Sequence, residues 1–242
     1  MNDPANVAPA SANLRATAIL DIDHKEVRKL AETLEPNPPD RTFLQKAHLH
    51  LVQTLRPVYS VNEWQPASRT LQKGRGSCSQ RMACLEAIAR AGGIATRVRA
   101  FFVKGSFWYP RFRFSRWFIP KSILLVWPQF FLEGLWKDFD ELYAPMAQLA
   151  ASAAPEFTND GESLFEAVQN TPVDFLGKTC GLECAKPEHN LSKFVLADEG
   201  FFDTRDEVFE RFGSFQDTPR GWVFEAVFGD KKVGTMPVLH RG

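Results

Sequence analysis

Features that mark exported, membrane-spanning or disulfide-stabilised proteins are scarce in this sequence. The first 13 residues carry no basic stretch ahead of a hydrophobic run, so they predict a loose arm rather than a signal peptide. The longest hydrophobic stretch, residues 117–136, is broken by prolines and charged side chains and is not expected to span a membrane. Only four cysteines occur in 242 residues, which favours a reducing, cytoplasmic location.

The cysteines also provide too few ligands for a metal site. Cys180 and Cys184 lie close to His189, but this spacing lacks a fourth ligand and the tight knuckle of zinc sites. We therefore expect two ordinary thiols in a loop, no metal and no cofactor.

Acidic residues are missing between Glu86 and Glu133, where basic and aromatic residues alternate. Residues 1–132 hold 19 basic against 9 acidic side chains, and residues 133–242 hold 10 against 20. A basic, aromatic stretch over residues 97–121 is compatible with nucleic-acid binding, which the neutral total charge disfavours. We expect the acidic half to cover most of these arginines.

The arginines that remain near the candidate site would then bind an anionic substrate, such as a carboxylate or an acidic carrier. The candidate substrate-binding residues in this stretch are Arg97, Arg99 and Trp108.

The order of helical and strand patterns predicts an α+β fold. Helices are expected at residues 24–34, 41–56 and 77–92, followed by strands at 94–103, 107–118, 123–132 and 136–140. Weaker patterns indicate helices at 161–169 and 204–212 and a strand at 222–228. We divide the chain into an N-terminal arm and helix (1–40), a core (41–145) and a C-terminal extension packed on the core (146–242).

Cys78 is the candidate nucleophile. Ser77 and Gln80 have the form of a capping box, which places Cys78 in the first turn of a helix. The positive end of the helix dipole and the nearby Arg75 and Arg81 favour a thiolate. From helix position alone, a small buried core cysteine is an equally good interpretation.

The residues around Cys78 resemble the nucleophile segment of transglutaminase-like proteins, relatives of papain-type cysteine enzymes. The resemblance rests on Gly76-Ser77-Cys78 at the helix start and on Arg90-Ala91, Gly93-Ile94 and Thr96-Arg97 at the turn into the next strand. It covers roughly residues 41–143. It implies a Cys-bearing helix packed on an antiparallel sheet and a Cys–His–Asp triad.

The family's second motif matches residues 127–136, and Asp140 falls on the family's Asp. Trp127 lies within this run and is a further candidate for substrate binding. In the same register, however, Leu125 occupies the position of the family's His. Leucine cannot take the thiol proton or return it to a leaving group.

Three interpretations of this departure stay open. Another imidazole enters the site from elsewhere, with His48 the best placed by pattern and His189 and His240 in the C-terminal half. Alternatively, Cys78 reacts without His on an activated acyl group such as a thioester. In the third, catalysis is lost and the cleft is kept for binding.

The leading hypothesis is cysteine-dependent acyl chemistry on a small-molecule, peptide or carrier-bound substrate, with Cys78 as nucleophile and Asp140 as an orienting group. A catalytically degenerate binding protein is the alternative, and binding of nucleic acid or an anionic ligand comes third. We expect no membrane partner.

Overall fold

A central helix and an antiparallel sheet organise the chain. The computed structural model describes residues 7–112, 115–152, 157–183 and 186–233. The helices are α1 (Lys25–Thr33), α2 (Arg41–Thr54), α3 (Ala67–Lys73), α4 (Cys78–Ala91), α5 (Met146–Ala151), α6 (Leu164–Ala167), α7 (Arg205–Phe212) and α8 (Pro219–Phe228). The strands are β1 (Arg56–Pro57), β2 (Arg75–Gly76), β3 (Thr96–Lys104), β4 (Ser122–Leu132), β5 (Leu135–Asp138) and β6 (Val195–Phe202).

Helix α4 lies between α1, α2 and α3 on one side and strands β3 and β4 on the other. Every residue from 80 to 90 is buried, and alanines at several positions let neighbouring elements approach closely. The helix nevertheless carries charged side chains into this interior. The Arg90 guanidinium donates to the carbonyls of Ala12, Arg15 and Asp203, and so joins the helix to the N-terminal segment and to the end of β6.

The larger sheet has four strands in the order β5-β4-β3-β6, and all neighbours are antiparallel. In its register Arg99 pairs with Trp127 and Phe101 pairs with Leu125. The α+β class is confirmed, with strands close to three of the expected positions. Strand β6 was not foreseen, so the C-terminal part of the chain supplies an edge strand of this sheet. The domain limits at residues 40 and 145 stay predictions.

Two expected strands are wrong. In the described part of residues 107–118, the chain forms 3₁₀ turns at Gly105–Trp108 and Arg116–Phe118. Gly105 lies so close to Pro120 that a Cβ at position 105 would come within 1.8 Å of the Pro120 carbonyl oxygen. Two segments of the chain therefore cross tightly at this glycine. Residues 222–228 lie in α8, which Thr218 caps and Pro219 begins.

Part of the charge asymmetry is neutralised within the chain, as expected. Arg75, Arg81 and Arg99 of the basic half form ion pairs with acidic residues of the other half, namely Asp230, Glu166 and Asp198. Asp198 lies on β6, so Arg99 is paired by a neighbouring strand rather than covered by a separate layer. Within the described ranges, no helix is both long enough and apolar enough to cross a membrane.

Candidate functional site

Cys78 is the first residue of α4, and a capping box holds it there. The Ser77 hydroxyl accepts a hydrogen bond from the Gln80 backbone at 3.3 Å, and the Gln80 amide oxygen accepts from the Ser77 backbone at 2.9 Å. Gly76 comes just before this cap, where a Cβ would lie 2.7 Å from a methyl group of Thr70. The sequence-based placement of Cys78 in the first helical turn is confirmed.

Cys78 lines a cavity of about 180 Å³. Met82, Leu164 and Phe209, which belong to the main hydrophobic core, form one part of the cavity wall. A second hydrophobic cluster contributes the opposite part of the wall through Tyr59, Phe112, Ile119 and Phe224. The Cys78 cavity therefore lies between two apolar clusters, and most of the side chains around it are hydrophobic.

Several polar side chains line the same cavity. Three of them are Ser163, which caps α6, and Arg111 and Asn159, which come from two separate loops. The Ser163 hydroxyl accepts from the Phe165 backbone at 3.1 Å and lies near the Cys78 thiol. These residues form the polar end of the cavity.

Cys78 is half-buried, and its surroundings shift the pKa of its thiol. Burial is the largest influence and raises its pKa, and the carboxylate of Glu166 adds to the increase. The charges of Arg81 and Arg111 and the nearby Ser163 hydroxyl lower the pKa, but the net shift remains upward. This shift favours the neutral thiol over the nucleophilic thiolate.

His48 is a core residue, which corrects its assignment as a possible base. It is fully buried, its Nε2 donates to the Phe165 carbonyl at 2.6 Å, and its Nδ1 accepts from the Tyr143 hydroxyl at 2.8 Å. Burial lowers its pKa to about 4, so the ring is neutral. Both ring nitrogens are occupied, and His48 does not line the Cys78 cavity.

Within the described ranges, no other histidine lines the Cys78 cavity as a possible base. The Nδ1 of His189 accepts from the Lys186 backbone at 3.2 Å, away from the cavity wall. His240 lies outside the described residues. Leu125, which the motif register assigns to the family's His position, lines the Cys78 cavity with its apolar side chain.

Within the described residues, the partners of Asp140 are Trp127 and Lys178 rather than a histidine. Its carboxyl group accepts from the Trp127 indole at 3.4 Å and lies 3.7 Å from the Lys178 ammonium group. Burial and the neighbouring Asp138 raise its pKa to about 8, while Lys178 opposes this shift. Lys178 also pairs with Asp138 and Glu141, so one ammonium group serves three carboxyl groups.

Of the four predicted substrate-binding residues, Trp108 alone lines the Cys78 cavity. Arg97 lies between the rings of Trp136 and Phe201 and donates to Gln129, and Arg99 is paired with Asp198. Trp127 is buried in the core against Phe139 and Phe175. Arg97, Arg99 and Trp127 are therefore not part of the Cys78 cavity, because contacts within and beside the sheet hold their side chains elsewhere. This corrects their assignment to the site.

The polar residues that line the cavity together with Cys78 were not predicted from the sequence. Arg111 belongs to the predicted basic stretch but was not distinguished from its neighbours. Asn159 and Ser163 lie some 80 residues beyond Cys78, and the only local signal was that a Ser before a helical pattern can cap it. No group of three metal-binding side chains occurs among the described residues, and Cys184 lies outside them, so the absence of a metal stays a prediction.

Comparison with known proteins gave one match, to a protein family. Residues 28–141 match the model of the transglutaminase-like superfamily. This segment is similar to transglutaminase-like domains. It carries the Cys-bearing helix and strands β3 to β5, while β6 and the cavity residues Asn159 and Ser163 come from later in the chain. Neither the search of curated proteins nor the search of solved structures gave a match.

Proposed function

We propose that the transglutaminase-like domain binds a small, mostly apolar molecule in the Cys78 cavity and has lost the acyl chemistry of a complete triad. The lining of the cavity carries this proposal: apolar side chains surround a neutral thiol, and none of the described lining residues is a histidine. The volume of about 180 Å³ suits such a ligand, because an apolar cavity of about 150 Å³ holds a benzene-sized molecule.

Acyl transfer by a thiol needs a group that removes the proton from sulfur and delivers it to the leaving group. Ser163 is a hydroxyl and Arg111 is a permanent cation, so neither serves as a base near neutral pH. The Glu63 carboxyl group also lines the cavity, but it accepts a hydrogen bond from the Ser79 hydroxyl and burial raises its pKa. Asp140 is bound to Trp127 and Lys178. These contacts favour binding over catalysis.

A second candidate function is acyl transfer from a thioester. It is favoured by the position of Cys78 at the start of a 14-residue helix, whose backbone N–H groups can stabilise an oxyanion. In this step the Cys78 sulfur attacks the thioester carbonyl and the carbon–sulfur bond to the leaving group breaks. The departing sulfur takes the proton lost by Cys78, so less help from an acid is needed.

The binding proposal is tested with toluene as a neutral probe in thermal unfolding. We expect toluene to raise the melting temperature of the wild type, since a ligand that binds only the folded state stabilises it. Leu125→Trp fills the Cys78 cavity and should abolish the increase. Leu196→Trp, at an exposed site on β6, is the matched control and should retain it.

Equal responses of the two tryptophan variants, or no response of the wild type, would contradict binding in the cavity. Incubation with a small aryl thioester decides the second candidate. If Cys78 gains the acyl group by intact mass, and Cys78→Ala abolishes release of the thiol, acyl transfer replaces the binding proposal.

A further inference from the structure

Arg111 is a cation without an anionic partner in the described part of the chain. Its Nε donates to the Asn159 carbonyl at 3.3 Å and its Nη2 donates to the Glu162 carbonyl. Both acceptors are neutral, and no carboxylate of the described residues lies within ion-pair distance. The Arg111 side chain is half-buried, and a charge taken partly out of water is normally paired with an anion, because its burial is otherwise costly.

Other titratable groups around Arg111 leave room for such an anion. Glu162 and Glu166 act on Arg111 only through longer-range electrostatics, and the Glu166 carboxylate is paired with Arg81 at 2.5 Å. Cys78 and Tyr59, which line the Cys78 cavity together with Arg111, carry a thiol and a phenol rather than a carboxylate. The positive charge at this end of the cavity is therefore not cancelled by a direct partner.

Asn159 supplies a second, independent observation. Its side chain is 3% exposed and lines the Cys78 cavity. Its Nδ2 donates to the Phe107 carbonyl at 2.5 Å, while its Oδ1 is buried and has no hydrogen-bond partner. Buried acceptors without a donor are rare in folded proteins, and a ligand or a water molecule that reaches Asn159 Oδ1 would supply the donor.

We propose that the ligand is a small 2-hydroxy carboxylic acid with an apolar aryl or alkyl body. The carboxylate pairs with the Arg111 guanidinium and accepts from the Ser163 hydroxyl. The 2-hydroxyl group donates to Asn159 Oδ1, and the apolar body packs against the hydrophobic walls. This inference rests on the proposed binding function and adds the chemistry of the polar end.

The test compares four probes on the wild-type protein by isothermal titration calorimetry: mandelate, phenylacetate, phenylacetamide and toluene. We expect phenylacetate to bind at least about tenfold more tightly than its neutral amide, because a charge-assisted pair with Arg111 is lost in the amide. Mandelate should bind more tightly than phenylacetate, because its hydroxyl satisfies Asn159.

Arg111→Gln should abolish the preference for carboxylate over amide. Arg116→Gln removes an exposed arginine of the same basic stretch and should keep the preference. If Arg111→Gln does not fold by circular dichroism, the wild-type series decides alone. Equal affinities for phenylacetate and phenylacetamide, or no gain with mandelate, overturn the inference while binding of toluene preserves the proposed function. Failure of all four probes refutes the proposed function itself.

Discussion

At the residue scale, the candidate site differs from a catalytic triad by the groups around one sulfur atom. Cys78 retains the helix terminus that favours a thiolate, but burial raises its pKa. Leu125 lines the same cavity at the position that the motif register gives to a base. The sequence predicted both features, because a capping box and a motif register are local. It did not predict Arg111 and Asn159 as partners, because their roles depend on contacts between distant segments.

The first prediction restores an imidazole with Leu125→His. An imidazolium beside the sulfur stabilises the thiolate, so the pKa of Cys78 should fall by at least about one unit. Alkylation by iodoacetamide at pH 7 should become about tenfold faster in a Cys180→Ser/Cys184→Ser background. Leu196→His, on the exposed side of β6, should leave the rate unchanged. An unaltered rate in Leu125→His would show that position 125 does not face the thiol.

Asp140 gives a pH-dependent prediction. Burial raises its pKa to about 8, well above the value of an unfolded aspartate near 3.9. Between these values the folded state binds the extra proton, so this group lowers the stability of the wild type as pH rises. Asp140→Asn removes the effect, so its unfolding free energy relative to wild type should increase from about pH 4 to pH 8.

The slope of that increase should approach, at most, about 1.4 kcal/mol per pH unit for one proton. Urea unfolding of both proteins at pH 5 and pH 7.5 measures the difference. A difference that is independent of pH would show that Asp140 is ionised in the fold at both values, held so by Lys178.

At the element scale, local signals predicted α4, α7, β3 and β4, and they failed at residues 107–118 and 222–228. The segment 222–228 alternates like a strand, yet a Thr–Pro start and tertiary packing make it helical. Strand β6 contains Asp198, Glu199 and Gly200, which are poor strand formers, so pairing with β3 rather than propensity defines it. Side chains that join elements far apart in sequence left no signal at all.

One such connection joins α7 to α4 through a buried ion pair. Arg205 Nε lies 2.6 Å from the Glu86 carboxylate, and both side chains are fully buried. Glu86→Gln leaves Arg205 as an uncompensated buried charge, so we expect a loss of about 3–5 kcal/mol of stability. Arg99→Gln removes a partly exposed pair with Asp198 and should cost about 1 kcal/mol or less. Chemical denaturation checks both, and equal losses would contradict the difference in burial.

At the scale of the whole molecule, the neutral total charge combines a basic and an acidic half that pair within the chain. The same union of halves builds the Cys78 cavity: the thiol and Arg111 come from the first half, and Asn159 and Ser163 from the second. The transglutaminase-like segment at residues 28–141 therefore holds the nucleophile position but not the complete cavity. The motif therefore predicted the fold and the position of Cys78, but not the residues that later segments add to the cavity.

The central claim is that the Cys78 cavity binds a ligand around a neutral thiol. The most direct test is the pH dependence of iodoacetamide alkylation of Cys78, measured by mass spectrometry in the Cys180→Ser/Cys184→Ser protein. Our account predicts an apparent thiol pKa above about 8.5, the value of a free cysteine. A value well below that reference would show an activated thiolate and contradict the account.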